Sequence, residues 1–286
     1  MRVLVVVVPY DTGLLGGRMG AGPEHLVTNG LPDAITALGH SVDVERLVLD
    51  GMRPPAEIRS AFELMGAVAV RVANARRAGA FPLILSGNCN TAVGSVAGLG
   101  AAETGVVWFD SHGDFNTPET TTSGFLDGMA LAMLTGRCWR GLMDEVPGFT
   151  PIAEDRVVLV GARDLDPPEA DALARSRIVP ISATSIRERD AGQLSSSLGA
   201  LSRRVQRIYV HIDLDVLDPA AGRANAFAAA DGLMAADLEY AVRTIGRHGS
   251  VAGAALTAYD PTCDADGRVC EAALDLLGPL MHAAAR

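Results

Sequence analysis

Short, unbroken apolar runs recur along the chain, separated by stretches whose apolar residues fall at helical spacing. Eight of these runs have strand length, at about Val3 to Val8, Val42 to Leu47, Pro82 to Leu85, Val106 to Asp110, Arg156 to Val160, Ile178 to Ile181, Arg207 to Asp213 and Val251 to Thr257. Most are solid Val, Ile and Leu without alternation, the pattern of strands covered on both faces of a parallel sheet. Between them, a helix is predicted from Pro55, a good first-turn residue, to Arg77, with Ile58, Phe62, Leu64, Met65 and Val68 at helical positions. Further helices fit Ala183 to Arg204, Ala235 to Arg247 and Glu271 to Ala285. Alternating strands and helices predict an α/β chain: a three-layer αβα sandwich around a mainly parallel eight-stranded sheet. Neither a linker-like composition shift nor a repeat of solenoid period appears, so residues 1–286 are expected to form one domain.

Composition narrows the function. With 286 residues, 49% hydrophobic and 20% charged, the chain has enough apolar surface to fold rather than stay disordered. Its net charge of -10, without a basic patch, makes nucleic acid and anionic membrane poor partners and leaves a small molecule as the expected one. The N-terminal apolar run covers only Val3 to Val8 before Pro9, too short for a secretory core and far short of the ~18 residues of a membrane span. All 24 positive charges are arginine. Without lysine, Schiff-base chemistry, pyridoxal phosphate enzymes and P-loops that need a phosphate-binding lysine are excluded. Cys89, Cys138, Cys263 and Cys270 are too few and too irregular for a disulfide framework, which points to a reducing, cytoplasmic setting.

Polar residues gather at the C-terminal ends of the predicted strands, where open α/β sheets hold their ligands. One strand runs into Asp110-Ser111-His112-Gly113-Asp114-Phe115-Asn116, and extended alternation turns Asp110, His112 and Asp114 to one side. Another runs into Asp213-Leu214-Asp215, with Asp218 following before Pro219. A lone strand-end acid is usually a turn cap, the reading for Asp218. The D-x-H-x-D and D-x-D pair is different, because four carboxylates crowded at buried strand ends repel one another and lose hydration unless a cation joins them. Four carboxylates and an imidazole exceed the protein ligands of one small ion and suit two ions about 3.5 to 4 Å apart. Oxygen-rich ligation with a histidine favours manganese, with iron, cobalt, nickel and zinc left open.

These segments resemble the paired metal-binding signatures of the ureohydrolase family, which includes arginase, agmatinase and formimidoylglutamase. Asp110 to Asn116 is similar to the family's D-A-H-x-D-x-N, and Asp213 to Pro219 to its D-x-D-x-x-D-P. Gly161-Ala162-Arg163-Asp164-Leu165-Asp166 is similar to its G-x-R-D segment, and Asp231-Gly232-Leu233 lies near its G-G-L. The resemblance implies an arginase-like fold, a trimer or hexamer, and a centre of two Mn2+ ions. In it Asp110 and Asp213 bridge the ions, Asp114 sits on one, and His112 and Asp215 sit on the other. It also implies substrate contacts from Asn116 and Ser123, and a hold on an α-amino group by Asp164 and Asp166, for which turn capping before Pro167 is an equal account.

Three departures shape the expectation. Ser86-Gly87-Asn88-Cys89-Asn90 stands at the family's G-G-D-H-S, so Cys89 replaces the histidine of the first ion. A thiolate beside a dication can ligate it, although a free cysteine is also commonly buried for packing. A subgroup with cysteine here, the hydroxyarginine hydrolases of D-cycloserine biosynthesis, shares the run from His112 to Thr121. Ser123-Gly124-Phe125-Leu126-Asp127-Gly128 stands at S-G-N-x-H-G: Asp127 replaces the proton-shuttling histidine, and Phe125 the asparagine that contacts the amino acid end. Ala258 stands where the guanidinium-gripping glutamate belongs, and Asp127 is expected to take over that grip or to move the proton.

The resulting expectation is a binuclear metal hydrolase that cleaves a non-peptide carbon–nitrogen bond in a guanidino, hydroxyguanidino or amidine compound, with Asp114 and Asp127 as catalytic groups. A metal-poor binding or sensor protein and a hydrolase of a neutral amide are the alternatives. His25, His40, His248 and His282 read as structural or surface residues, and Cys263 and Cys270 do not have zinc-site spacing. Gly16 to Gly22 lacks G-x-G-x-x-G and a following helix, which argues against a nucleotide loop. It is similar instead to the family's N-terminal substrate loop.

Overall fold

The computed structural model describes residues 1–49, 56–189 and 191–285. Its centre is an eight-stranded sheet of β1 (Arg2–Val8), β2 (Ser41–Arg46), β3 (Ala80–Ser86), β4 (Thr104–Phe109), β5 (Val157–Val160), β6 (Val179–Ile181), β7 (Arg207–Asp213) and β8 (Val251–Thr257). They lie in the order β2-β1-β3-β8-β7-β4-β5-β6, and every neighbouring pair is parallel. All eight expected strands are present, two with the expected bounds and the others with ends displaced by at most two residues. β3 starts two residues early, at Ala80, and takes Pro82 inside it: β8 pairs with β3 only from Leu83 on. On its other side β8 shifts register against β7 between Val251 and Gly253, and a Cβ on Gly253 would lie 3.1 Å from the Pro82 ring.

Alternation along each strand builds the two flanking layers. Val3, Val5 and Val7 of β1 join one core, with Leu198 of helix Ala191–Ser202, Leu238 of helix Ala235–His248 and Leu280 of helix Leu277–Ala284. Leu4, Val6 and Val8 join the other, with Leu64, Met65 and Val68 of helix Glu57–Arg77, Val96 of helix Ala92–Leu99 and Leu131 of helix Ala130–Leu134. Because both faces of the sheet are covered, only the strand ends remain for polar chemistry.

Four helix expectations are corrected in detail. Pro55 lies outside the described residues, and Ile58 turns to solvent, 42% exposed, while Leu64, Met65 and Val68 are buried. The stretch expected from Ala183 to Arg204 forms two helices, Ala183–Arg187 and Ala191–Ser202, with Arg189 between them in the left-handed region at φ 55. The stretch from Glu271 to Ala285 is likewise two, Arg268–Asp275 and Leu277–Ala284. A helix, Gly22–Thr28, does follow the glycine-rich stretch; Gly22 is there because a Cβ would lie 2.1 Å from the Tyr259 carbonyl oxygen.

Candidate metal centre

The four central strands β3, β8, β7 and β4 end side by side at one cavity of about 250 Å3, to which β3, β7 and β4 deliver polar side chains and β8 delivers Ala258. Cys89, His112, Asp114, Asn116, Ser123, Asp127, Asp164, Asp166, Asp213 and Asp215 all line it, and Asp110 lies fully buried beneath its floor. The residues that the sequence marked for metal binding, substrate binding or catalysis therefore meet at one place.

The floor holds two donor clusters that share Asp110. Cys89, Asp110 and Asp213 offer a sulfur and two carboxylate oxygens within 4.8 Å of one another, and Asp110, His112 and Asp215 offer a nitrogen and two oxygens within the same span. Asp110 is held from below: the Trp108 indole N–H donates to its Oδ2 at 3.0 Å, and the His112 backbone N–H to its Oδ1 at 2.7 Å. Asp213 Oδ1 accepts from the Asp215 N–H at 2.8 Å, while its Oδ2 accepts from the Cys89 thiol at 3.0 Å. Asp215 accepts from the Ser111 hydroxyl at 2.7 Å and the Asn225 amide at 3.1 Å. These contacts leave each cluster little rotameric freedom, as ligand positioning requires.

Electrostatics then call for a cation. Burial, followed by the neighbouring carboxylates, pushes Asp114, Asp213 and the Cys89 thiol well above their usual values. Burial also pushes Asp110 up, against its hydrogen bond from His112. Burial lowers His112, but the bond to Asp110 and the charges of Asp215, Asp110 and Asp164 outweigh it and take the imidazole up to about 10. So many acids ionise together only beside compensating positive charge. Asp114 adds geometric support: its Oδ2 is buried with no hydrogen-bond partner, and its backbone is in the left-handed region at φ 49. Thiol, imidazole and carboxylates together are a donor set that fits divalent transition ions.

Around this floor, several residues do something other than their motif suggested. Asp127 is buried, accepting from Asn88 Nδ2 at 2.8 Å and from the Asn90 backbone N–H at 3.0 Å, and burial takes its carboxyl up to about 7. Asn116 is engaged at both ends, donating to Asp166 at 3.1 Å and accepting from the Thr120 hydroxyl at 3.0 Å. Asp166 opens the helix Pro167–Ala174 without a side-chain cap bond and holds Asn116 and Thr122 instead. Asp218 caps its turn as expected, accepting from the Ala220 and Gly232 N–H groups at 2.8 and 2.9 Å. The wall at Ala258 carries no carboxylate, and Asn225 Nδ2 donates to the Ala258 carbonyl at 2.8 Å.

Sequence reasoning missed four residues. Asn225 ties Asp215 to Ala258. Glu169 accepts from the Phe115 N–H at 2.8 Å and approaches Gly113 so closely that a Cβ there would lie 2.7 Å from its Oε1. Phe227 stacks on Phe125 with centroids 5.7 Å apart. His211, fully buried and neutral because burial lowers it to about 3, stacks on Trp108 at 3.7 Å and places Nε2 3.3 Å from the Thr257 hydroxyl, itself 3.2 Å from the Cys89 sulfur. Only His211 carried a signal, an imidazole two residues before Asp213 in an otherwise apolar strand.

Known proteins share this architecture. The model of the Arginase family matches residues 1–282. The arginase of Brucella melitensis is 30% identical over 295 residues, covering 98% of this chain and 95% of the relative. The crystal structure of arginase from Bacillus cereus superposes with a TM-score of 0.88 at 26% identity, covering 98% of both chains. Formimidoylglutamase from Bacillus subtilis, at 18% identity and a TM-score of 0.74, shares the fold.

Proposed function

The chain belongs to the arginase family, and from that premise we propose that it uses two divalent ions, manganese first among them, to hydrolyse a guanidino, hydroxyguanidino or other amidine compound. The carrying observation is the pair of donor clusters joined at Asp110 on the cavity floor. Cys89, Asp110, Asp213 and Asp114 would hold one ion, and Asp110, Asp213, His112 and Asp215 the other. Ions held there would supply an activated water, whose pKa such centres bring to about 7, and would stabilise charge developing at the attacked carbon. The chain's own groups do the rest. Asp114, whose Oδ2 has no protein partner, accepts a proton from the attacking water and orients it. Asp127, held by Asn88 and Asn90, would either face the cationic head as a carboxylate or, when protonated, give its own proton to the leaving amine and regain one from solvent as Asp114 releases the proton it took. Asp164 and Asp166, with Ser123, line the cavity and would take an amino or other polar group where the substrate carries one.

Four free cysteines suit a reducing cytoplasm, and no helix among the described residues is long and apolar enough to cross a membrane. A homo-oligomer of three or six chains completes the proposal. The test is metal analysis of the manganese-supplied protein beside a Cys89→Ala variant, followed by a screen for released urea, hydroxyurea or ammonia. About two ions per chain, falling to one or fewer in the variant, supports the centre and its thiolate ligand. A wild-type protein without metal and without turnover of any guanidine or amidine would sink the proposal. Turnover confined to neutral amides would move the cleaved group to that class.

A further inference from the structure

The mouth of the cavity is built from chemistry unlike its floor. Phe125, on the loop after β4, and Phe227, on the loop after β7, stack across it at an interplanar angle of 28°. Phe227 keeps 45% of its surface exposed although it lines the cavity, so its ring is not spent on the core. Both loops are fixed. The Phe227 N–H donates to Asn225 Oδ1 at 2.8 Å, and Asn225 is anchored to Asp215 and Ala258. The Leu126 N–H donates to Glu57 Oε1 at 3.1 Å, and the Phe125 N–H to the Ser123 hydroxyl at 3.2 Å. The aromatic pair is therefore preorganised, and ligand binding has little left to order.

Charge completes the picture. Among the described residues, none lining the cavity is arginine, and the chain has no lysine. The rest of the mouth carries Asp164 and Asp166. A carboxylate on the substrate tail would be desolvated against two acids and two aromatic faces with no arginine or lysine to pair it. A flat apolar tail would instead bury area on the rings and gain the offset contact that aromatic pairs favour.

We propose that Phe125 and Phe227, stacked on each other, form an aromatic clamp whose outward faces and edges take the substrate tail and set specificity, and that the substrate is a guanidine or amidine with an aryl or similarly flat apolar tail and no free carboxylate. The clamp rests on the hydrolase reading above for the head group that reaches the floor, and on the mouth alone for the tail.

The experiment is isothermal titration of the manganese-loaded protein with benzylguanidine, methylguanidine, L-arginine and N-benzylurea, repeated on Phe227→Ala and Phe125→Asn. Metal content and circular dichroism establish that each variant is folded and loaded. Benzylguanidine should bind about tenfold or more tighter than methylguanidine and L-arginine, a ratio within reach of stacking plus burial of one ring. Phe227→Ala should erase that preference, and Phe125→Asn should shift it toward L-arginine. Equal binding of L-arginine and benzylguanidine, a preference that survives Phe227→Ala, or no binding of any benzyl compound would overturn the clamp. If N-benzylurea binds in a Phe227-dependent way while benzylguanidine does not, the clamp stands and the cationic head reading fails. If L-arginine is turned over with no dependence on either ring, the clamp fails and the hydrolase reading stands.

Discussion

Floor and mouth of the same cavity are made by different means. The floor is strand chemistry: Cys89, Asp110 and Asp213 sit at or just past the ends of β3, β4 and β7, and the sheet's hydrogen bonds set their spacing. The mouth is loop chemistry: Phe125 and Phe227 are held by Ser123 and Asn225 of their own loops, and Asp166 by Asn116 of another. A sheet admits little variation in spacing, whereas loops can be rebuilt around it. The difference teaches that reaction class and substrate choice can change separately here, because few contacts cross between the two regions. Asn225 is one that does.

The largest break in this contrast comes from the floor. Asp213→Asn removes a charge from the proposed centre, and both metal content and turnover should fall well beyond the about 100-fold that loss of a supporting partner costs. Metal analysis and product release measure it, and retained metal with full turnover would remove Asp213 from the ligand set. Next is Asn225→Ala, which cuts the link. Metal affinity should weaken about 10- to 100-fold, and the tail preference should fade with it. A metal titration that leaves affinity intact would show the two regions to be independent even at Asn225.

A pH effect of intermediate size sharpens the floor's need for a cation. Burial, the largest cause in each case, takes Glu169 and Asp127 up to about 7 in the folded chain. Carboxyls raised in this way stabilise the fold fully below their ordinary values, and that stability is lost as pH rises through about 7. Metal-free protein should therefore melt lower at pH 8 than at pH 5, and Glu169→Gln should narrow the gap. Thermal melts at the two pH values check this, and an unchanged gap would mean that Glu169 is already ionised in the metal-free fold. The smallest effect belongs to the rim: Asp166→Asn loosens Asn116 and Thr122 and should raise KM a few-fold with kcat nearly intact. A matching fall in kcat would place Asp166 nearer the chemistry.

Legibility in the sequence followed the same division. The strands were readable because burial on both faces writes solid apolar runs, and the floor because its ligands are clustered beside those runs. Helix Ala92–Leu99 was not, since two of its residues are glycines that usually argue for a loop. Both are explained by packing: a Cβ on Gly94 would lie 2.1 Å from the Met65 carbonyl oxygen, and one on Gly98 2.6 Å from that of Ala69. His211 showed as a lone imidazole in an apolar strand, but its role did not show, for a related reason. Its partner Trp108 lies opposite it on β4, in a register that no single strand encodes. Phe227 and Asn225 lie in a loop with no periodicity, where only the folded chain shows what they touch.

The position of β8 has a further consequence. The strand Val251–Thr257 comes almost last in the chain yet lies between β3 and β7, in the middle of the sheet. On a ribosome adding about 5 to 20 residues per second, β3 waits roughly 10 to 30 s with an apolar edge open before its neighbour emerges. β4 and β7 pair directly, so Asp110, His112 and Asp215 can come together while synthesis continues. Cys89 reaches them only across β8. The nascent chain can thus assemble one donor cluster before the other, and the arrival of β8 closes both the sheet and the cavity floor.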